Sequence, residues 1–274
     1  MKIWFDGGLR DAEGARVSVF DHGLTVGDGV FETLKAEQGR TFALTRHLER
    51  LATSARGLGL PEPDLDEVRR GCAAVLEANP TAFGRLRITY TGGESPLGSD
   101  RGDAATTLVI ALGEAARRPD TTAAVTVPWT RNERGALTGL KATSYGENVV
   151  ALARAREQGA SEALFGNTVG ALCEGSGSNV FVVIDGELHT PPLASGCLAG
   201  ITRALTVSWA GAKETDLPLD VLERAEEIFL TSSLRDIQAV TRIDGRQLAA
   251  EPGPVTAEAM RIFAEQAAAD FDPR

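Results

Sequence analysis

The chain has 274 residues, 43% of them hydrophobic and 24% charged, enough to bury a large core in one or two domains. Its 38 acidic and 28 basic residues leave a net charge of −10 and a pI near 4.9, which weighs against nucleic acid or an anionic membrane surface as partner. No apolar run reaches the length of a membrane span, and Met1-Lys2-Ile3-Trp4-Phe5-Asp6 lacks the hydrophobic region of a signal peptide, so a cytoplasmic protein is expected.

The first elements predicted are strands at Lys2 to Phe5 and Ala12 to Val19, flanking a hairpin-like turn at Asp6-Gly7-Gly8. A helix follows from Thr45 to Gly57, with Thr45 as its N-cap and Leu48, Leu51, Ala52 and Ala55 as its buried stripe; Arg50 lies off that stripe and His47 one turn away. A second helix runs from Asp64 to Ala78, with Cys72 in register with Leu65, Val68, Val75 and Leu76. Gly84 to Thr91 and Thr106 to Leu112 read as strands, and the polar segment Gly113 to Asp120 breaks both periodicities. The expected organisation is a domain over residues 1–112, a linker over 113–120 and a domain over 121–274. Within the latter come a helix near Asn148 to Gln158 stopped by Gly159, strands at Ala163 to Phe165 and Val180 to Ile184, an Asp185-Gly186 turn, a helix from Thr202, a strand at Ile228 to Thr231 and a last helix after Thr256. Three scattered cysteines, Cys72, Cys173 and Cys197, suit a reduced compartment, and His22, His47 and His189 form no helical pair that would hold a metal.

Only four of the 28 basic residues are lysines: Lys2, Lys35, Lys141 and Lys213. A lysine kept amid such an arginine bias points to chemistry a guanidinium cannot do, because only an amine can lose its proton and form a Schiff base. Lys141, in Leu140-Lys141-Ala142-Thr143-Ser144-Tyr145, is the first catalytic candidate. Downstream, Glu174 heads the small-residue run Gly175-Ser176-Gly177-Ser178-Asn179, and Leu198-Ala199-Gly200-Ile201-Thr202-Arg203 opens a helix whose first N–H groups suit a phosphate. An amine, a carboxylate and an anion cradle are the three things pyridoxal phosphate (PLP) requires of a protein.

Together with Val26-Gly27-Asp28-Gly29-Val30-Phe31-Glu32-Thr33, Arg46-His47-Leu48-Glu49-Arg50-Leu51 and Phe229-Leu230-Thr231-Ser232-Ser233, these blocks resemble, in order and along nearly the whole chain, the class IV aminotransferases. That fold-type IV family of PLP enzymes includes branched-chain and D-amino acid transaminases and aminodeoxychorismate lyase. The resemblance implies an α/β (α+β) architecture, a small N-terminal α/β domain and a larger C-terminal pseudobarrel domain with the cofactor between them. It implies that Lys141 forms the internal aldimine, that Glu174 binds the pyridine nitrogen, and that Arg50, Ile201 and Thr202 bind the phosphate with Ser233 nearby. Ser178, Asn179 and Tyr145 join the cofactor set, Tyr145 matching the family's pattern less well than the others. Phe31, Thr33, Leu97, Ser99, Arg101 and Leu234 are implied to face the substrate, and Thr33 also belongs to the catalytic set. A homodimer is implied as well, with the loop Gly92 to Arg101 closing the partner's site.

The implied reaction is transfer of an amino group between an amino acid, D-amino acids included, and a 2-oxo acid. Aminodeoxychorismate lyase, which releases pyruvate, is the alternative, because Thr33 matches a threonine that the lyases set beside the cofactor. A PLP carrier without turnover is a third, remote reading. Leu97 and Ser99 replace the Arg and His that hold the substrate carboxylate in the usual D-amino acid enzyme, with Arg101 the nearest substitute.

Overall fold

In the computed structural model, which describes residues 1–103 and 105–274, Asp6 and Gly7 both take positive φ, 40° and 78°. That is the twist a two-residue hairpin turn requires. The returning strand therefore starts at once: β1 (Lys2–Phe5) pairs with β2 (Gly8–Asp11), Phe5 opposite Gly8 and Lys2 opposite Asp11. This corrects the expected strand at Ala12 to Val19, because a four-residue partner is exhausted at Asp11.

The chain divides into two units. The first comprises Met1–Arg117, Leu140–Ser144 and Phe271–Arg274, and the second comprises Arg118–Gly139 and Tyr145–Asp270. The main change of unit falls inside the expected linker, but a single division at 113–120 omits two short returns to the first unit. β6 also runs on to Glu114, two residues into that segment.

The first unit is an antiparallel sheet in the order β2-β1-β6-β5-β3-β4, adding β3 (Gly29–Glu37), β4 (Arg40–Thr41), β5 (Phe83–Thr91) and β6 (Thr107–Glu114). Its helices are the short α1 (His22–Thr25), α2 (Leu44–Leu58) and α3 (Leu65–Ala78). Strand alternation turns Val30, Leu34, Leu86, Ile88 and Ile110 toward Leu48, Leu51, Val68 and Cys72 of the two long helices, and all of these are buried. Asp64, expected as the first residue of the second helix, is its N-cap and accepts from the N–H groups of Asp66 and Glu67. Thr45 does not cap α2. It sits inside the helix, after Ala43 in the left-handed region, and its N–H and hydroxyl both donate to Asp272, at 2.8 and 2.6 Å. The cap comes from a distant segment, which no local pattern announces.

The second unit holds β7 (Thr121–Arg131), β8 (Glu162–Asn167), β9 (Leu172–Gly175), β10 (Asn179–Ile184), β11 (Glu187–Thr190), β12 (Lys213–Glu214), β13 (Glu227–Ser232), β14 (Asp236–Ile243) and β15 (Arg246–Gln247). Its sheet runs β12-β11-β10-β13-β14-β7-β8-β9, with β15 beside β14 and β7 parallel to both neighbours. The helices are α4 (Gly146–Glu157), α5 (Ile201–Ala210), α6 (Val221–Arg224) and α7 (Pro254–Ala269). Leu164, Leu172, Val180, Val182 and Leu230 form one core with α6, whereas Val125, Ala163 and Phe165 pack with Ala151 and Ala155 of α4. β7 escaped the sequence reading because Pro128 sits where its register with β8 shifts, between Thr126 and Thr130. Among the described residues no helix is long and apolar enough to cross a membrane.

Candidate active site

In the first unit the segment Leu140–Ser144 lies antiparallel beside the start of β3. Phe31 donates its N–H to the Lys141 carbonyl at 3.0 Å, Thr143 donates to Gly29 at 2.8 Å, and Val30 bridges to Ala142. The Lys141 N–H donates to Ser54 of α2 at 3.1 Å, so both sides of that peptide are fixed. The side-chain amine lies 4.5 Å from the centre of the Phe31 ring. Lys141, Phe31 and Thr33 are thus brought together by β3, the strand that carries two of them.

Glu32, between Phe31 and Thr33, points to the opposite face of the sheet, toward α2. Its fully buried carboxylate accepts from His47 Nδ1 at 2.6 Å and from Arg50 Nε and an Arg50 terminal nitrogen at 2.8 and 2.7 Å. Burial alone would raise the Glu32 pKa, but the charges and hydrogen bonds of Arg50 and His47 hold it well below the usual carboxylate range. Burial lowers the His47 pKa despite the pull of Glu32, with Arg50 and Lys141 adding to the fall. Arg50 therefore lies off the apolar stripe as expected, yet it is anchored to a buried carboxylate rather than solvated.

The loop residues fare differently. Leu97 is 72% exposed and Ser99 exposed. Arg101 grips Asp28 with two nitrogens and donates to the carbonyls of Leu58 and Gly59 at the end of α2. It is engaged within its own unit. Sequence reading passed over Arg87 of β5, which lies directly across from Thr33. The alternation of Leu86, Ile88 and Tyr90 into the core was the available sign that Arg87 faces the other way.

In the second unit Glu174 lies on β9, opposite Phe165 of β8. One carboxylate oxygen accepts from the Leu198 N–H at 2.9 Å, and the other lies 3.2 Å from Arg131 Nε. Arg131 stacks over Phe165 at 4.1 Å and also contacts Glu147 and Asn148 at 3.1 and 3.2 Å. This partner had no local signal, because only the β7–β8–β9 register joins residues 131 and 174. Glu162 is a second unforeseen hub: Ser176 and Ser178 donate to it, as do the Gly177 N–H and Arg235. The Ser178 hydroxyl, expected to face the cofactor, is held by this buried carboxylate, at 3.0 Å. Ser233 and Leu234 occupy the turn between β13 and β14, half-buried. Tyr145 is the N-cap residue of α4. Cys173 and Cys197 are buried, and burial raises both thiol pKa values, which suits packing and not nucleophilic chemistry.

At the start of α5 the N-cap is Gly200, with no side-chain cap among the described residues. The first-turn N–H groups of Ile201 and Thr202 form an anion-ready helix end. Asn179 donates to Leu198 at 2.9 Å, and a Cβ on Gly200 would meet the Asn179 side-chain oxygen at 1.9 Å, so only glycine fits there. Thr231, across the strand from Asn179, has a buried hydroxyl without a hydrogen-bond partner among the described residues. Within this unit a half-buried acid, an uncapped helix end and an unsatisfied buried hydroxyl are groups that suit the pyridine nitrogen and the phosphate of PLP.

Residues 29–243 match the family model for the class IV amino-transferases. The chain belongs to that family. A provisionally assigned branched-chain-amino-acid aminotransferase of Methanocaldococcus jannaschii is 35% identical, covering 90% of this chain and 89% of the relative. The bifunctional aminodeoxychorismate lyase / D-amino acid transaminase of Mycobacterium tuberculosis is 31% identical, covering 92% and 94%. Among solved structures, the Escherichia coli branched-chain amino acid aminotransferase superposes with a TM-score of 0.91 at 28% identity, over 96% of this chain and 93% of that one. The PLP-bound form of a hypothetical aminotransferase from Mycobacterium tuberculosis gives 0.86 at 28%, over 98% of each. This class IV aminotransferase is accordingly a PLP-dependent enzyme of fold type IV.

Proposed function

We propose that Lys141 is the catalytic amine of this transaminase, that Glu174 faces the pyridine nitrogen of PLP, and that Arg50 and the N–H groups of Ile201 and Thr202 hold its phosphate. One observation carries the reading: Lys141 is the lysine whose backbone is tied on both sides, to Phe31 and Ser54, with its amine against the Phe31 ring. When bound, PLP supplies the electron sink that makes a proton on the substrate α-carbon removable. Lys141 takes that proton and returns it at cofactor C4′, so the amino group leaves the amino acid and later passes to a 2-oxo acid. Glu174, held between Arg131 and the Leu198 N–H, faces the pyridine nitrogen and keeps it protonated. Arg50, oriented by Glu32 and His47, steadies the phosphate.

The reading extends to a cytoplasmic homodimer. Its support is the run of exposed apolar residues Val17, Val19, Phe20, Leu24 and Val26, a surface suited to a second copy. Aminodeoxychorismate lyase is a second reading, favoured by the Thr33 hydroxyl being held by Arg87 on the same face as Lys141, and by the bifunctional relative. Pyruvate release from aminodeoxychorismate separates the two.

The test is Lys141→Ala beside Lys141→Arg. Both should lose turnover with amino acid donors while their far-ultraviolet spectra and melting stay native-like, because arginine keeps the charge but cannot act as a base. A wild-type rate in either variant would remove Lys141 from the mechanism.

A further inference from the structure

Both serine side chains of the short loop after Glu174 end on one buried group. Glu162, the first residue of β8, accepts four donors among the described residues, two on each carboxylate oxygen. One oxygen takes the Ser176 hydroxyl and, at 3.2 Å, the Gly177 N–H; the other takes the Ser178 hydroxyl and an Arg235 nitrogen, each at 3.0 Å. Arg235 comes from the turn between β13 and β14, is itself nearly buried, and is held in addition by Gln238 and the Ser161 carbonyl. The loop spans two groups that face PLP in the reading above. At one end Glu174 accepts from the Leu198 N–H; at the other Asn179 donates to the Leu198 carbonyl and packs on Gly200, where α5 begins.

We propose that Glu162, with Arg235 as its counter-ion, is a positioning residue that sets the separation between Glu174 and the helix end at Ile201 and Thr202 to the length of PLP. The inference rests on the assignment of those groups to the pyridine nitrogen and the phosphate. PLP is a rigid ring on a short arm, so both of its ends are satisfied together only when the protein groups already stand at one separation. Anchors preset in this way need no ordering when the cofactor arrives. The carboxylate fixes the loop because a shift that withdrew its donors would leave a buried charge unsatisfied. Arg235 balances that charge from a turn with partners of its own, so the floor under the loop does not move with it.

PLP affinity, from titration of dialysed protein, is compared for wild type, Glu162→Gln, Arg235→Met, Arg235→Lys and the double variant Glu162→Gln with Arg235→Met. Rates with an amino acid donor at saturating PLP and urea midpoints of the apo forms accompany it. Glu162→Gln keeps the shape but turns one acceptor into a donor that faces donors. It should weaken PLP about 10- to 100-fold and lower kcat by a similar factor, with KM for the donor within about twofold. Arg235→Met should behave alike, and the double variant should lose less than the product of the single losses, because both break one join. Arg235→Lys keeps the charge and should recover part of the affinity. PLP affinity and kcat within about twofold of wild type, beside a lowered urea midpoint, would make the pair purely structural and overturn the proposal, as would losses that multiply fully in the double variant. Should Glu162→Gln not fold, Ser176→Ala with Ser178→Ala keeps the ion pair and removes two donors; it should weaken PLP about tenfold, and unchanged affinity there is equally fatal. Glu174→Gln tests the underlying assignment by itself: it should bind PLP yet turn over slowly at saturating cofactor, and a wild-type rate removes Glu174 from the pyridine nitrogen whatever Glu162 does.

Discussion

Arg50→Met in the apoprotein probes the buried anchor described above. Glu32 is fully buried, and of the three N–H groups donating to it at 2.6 to 2.8 Å, Arg50 supplies two. Removing them leaves a carboxylate with His47 alone, and His47 cannot restore the charge because burial lowers its pKa. Breaking a buried ion pair from one side costs about 3–5 kcal/mol, much of it from stranding the remaining charge. At about 2–4 °C per kcal/mol for a unit of this size, the apoprotein midpoint should fall by about 10 °C. The double variant Glu32→Gln with Arg50→Met has no carboxylate at position 32 to strand and should be more stable than Arg50→Met alone. Urea unfolding without PLP, followed by tryptophan fluorescence, measures both. If Arg50→Met lies within about 1 kcal/mol of wild type, the pair behaves like an exposed one and the reasoning is wrong; a double variant weaker than the single refutes it equally.

Arg131→Met should leave Glu174 with its backbone partner but without the adjacent cation that fixes its other oxygen. PLP affinity should fall about tenfold in a cofactor titration, the loss of one charge-assisted contact; unchanged affinity would show that Arg131 only fills space. Stability of the apoprotein should also decline in two acid steps. His47 has a lowered folded pKa, so the unfolded chain takes up its proton first as pH falls below 6.5, and His47→Gln should flatten that step. Glu32 is depressed from 4.5, so its contribution is complete above that value and is lost on further acidification; Glu32→Gln should flatten the curve there. Urea midpoints across the acid range would record both, and a Glu32→Gln curve parallel to wild type would contradict the depressed carboxyl.

The local signals in the sequence were strong where one segment decides its own structure. The stripe Leu48, Leu51, Ala52 and Ala55, the helix beginning at Asp64, and the Gly200-Ile201-Thr202 helix start follow from residues a few positions apart, and each recurs in the structure to within a residue. What stayed hidden depends on partners far along the chain. Asp272 at the start of α2, Arg131 beside Glu174, Glu162 under Ser176 and Ser178, and Arg87 over Phe31 are each set by strand register or chain return. In three of these four cases the unread partner is a charge whose own neighbours in sequence predict only solvent. Arg87 is the exception, because alternation along β5 already marks its face.

The two returns of the chain to the first unit bear on how this protein is born. Neither the strand edge of β3 beside Lys141 nor the cap on α2 can form from residues 1–117 alone, since they need Leu140–Ser144 and Asp272. During synthesis the six-stranded sheet can collapse early, but α2 keeps unsatisfied N–H groups at its N-terminus until residue 272 has left the ribosome. An additional tag fused directly after Arg274 would therefore bear on a helix that begins more than two hundred residues upstream, and a protease that trims the last four residues would loosen the element carrying His47 and Arg50.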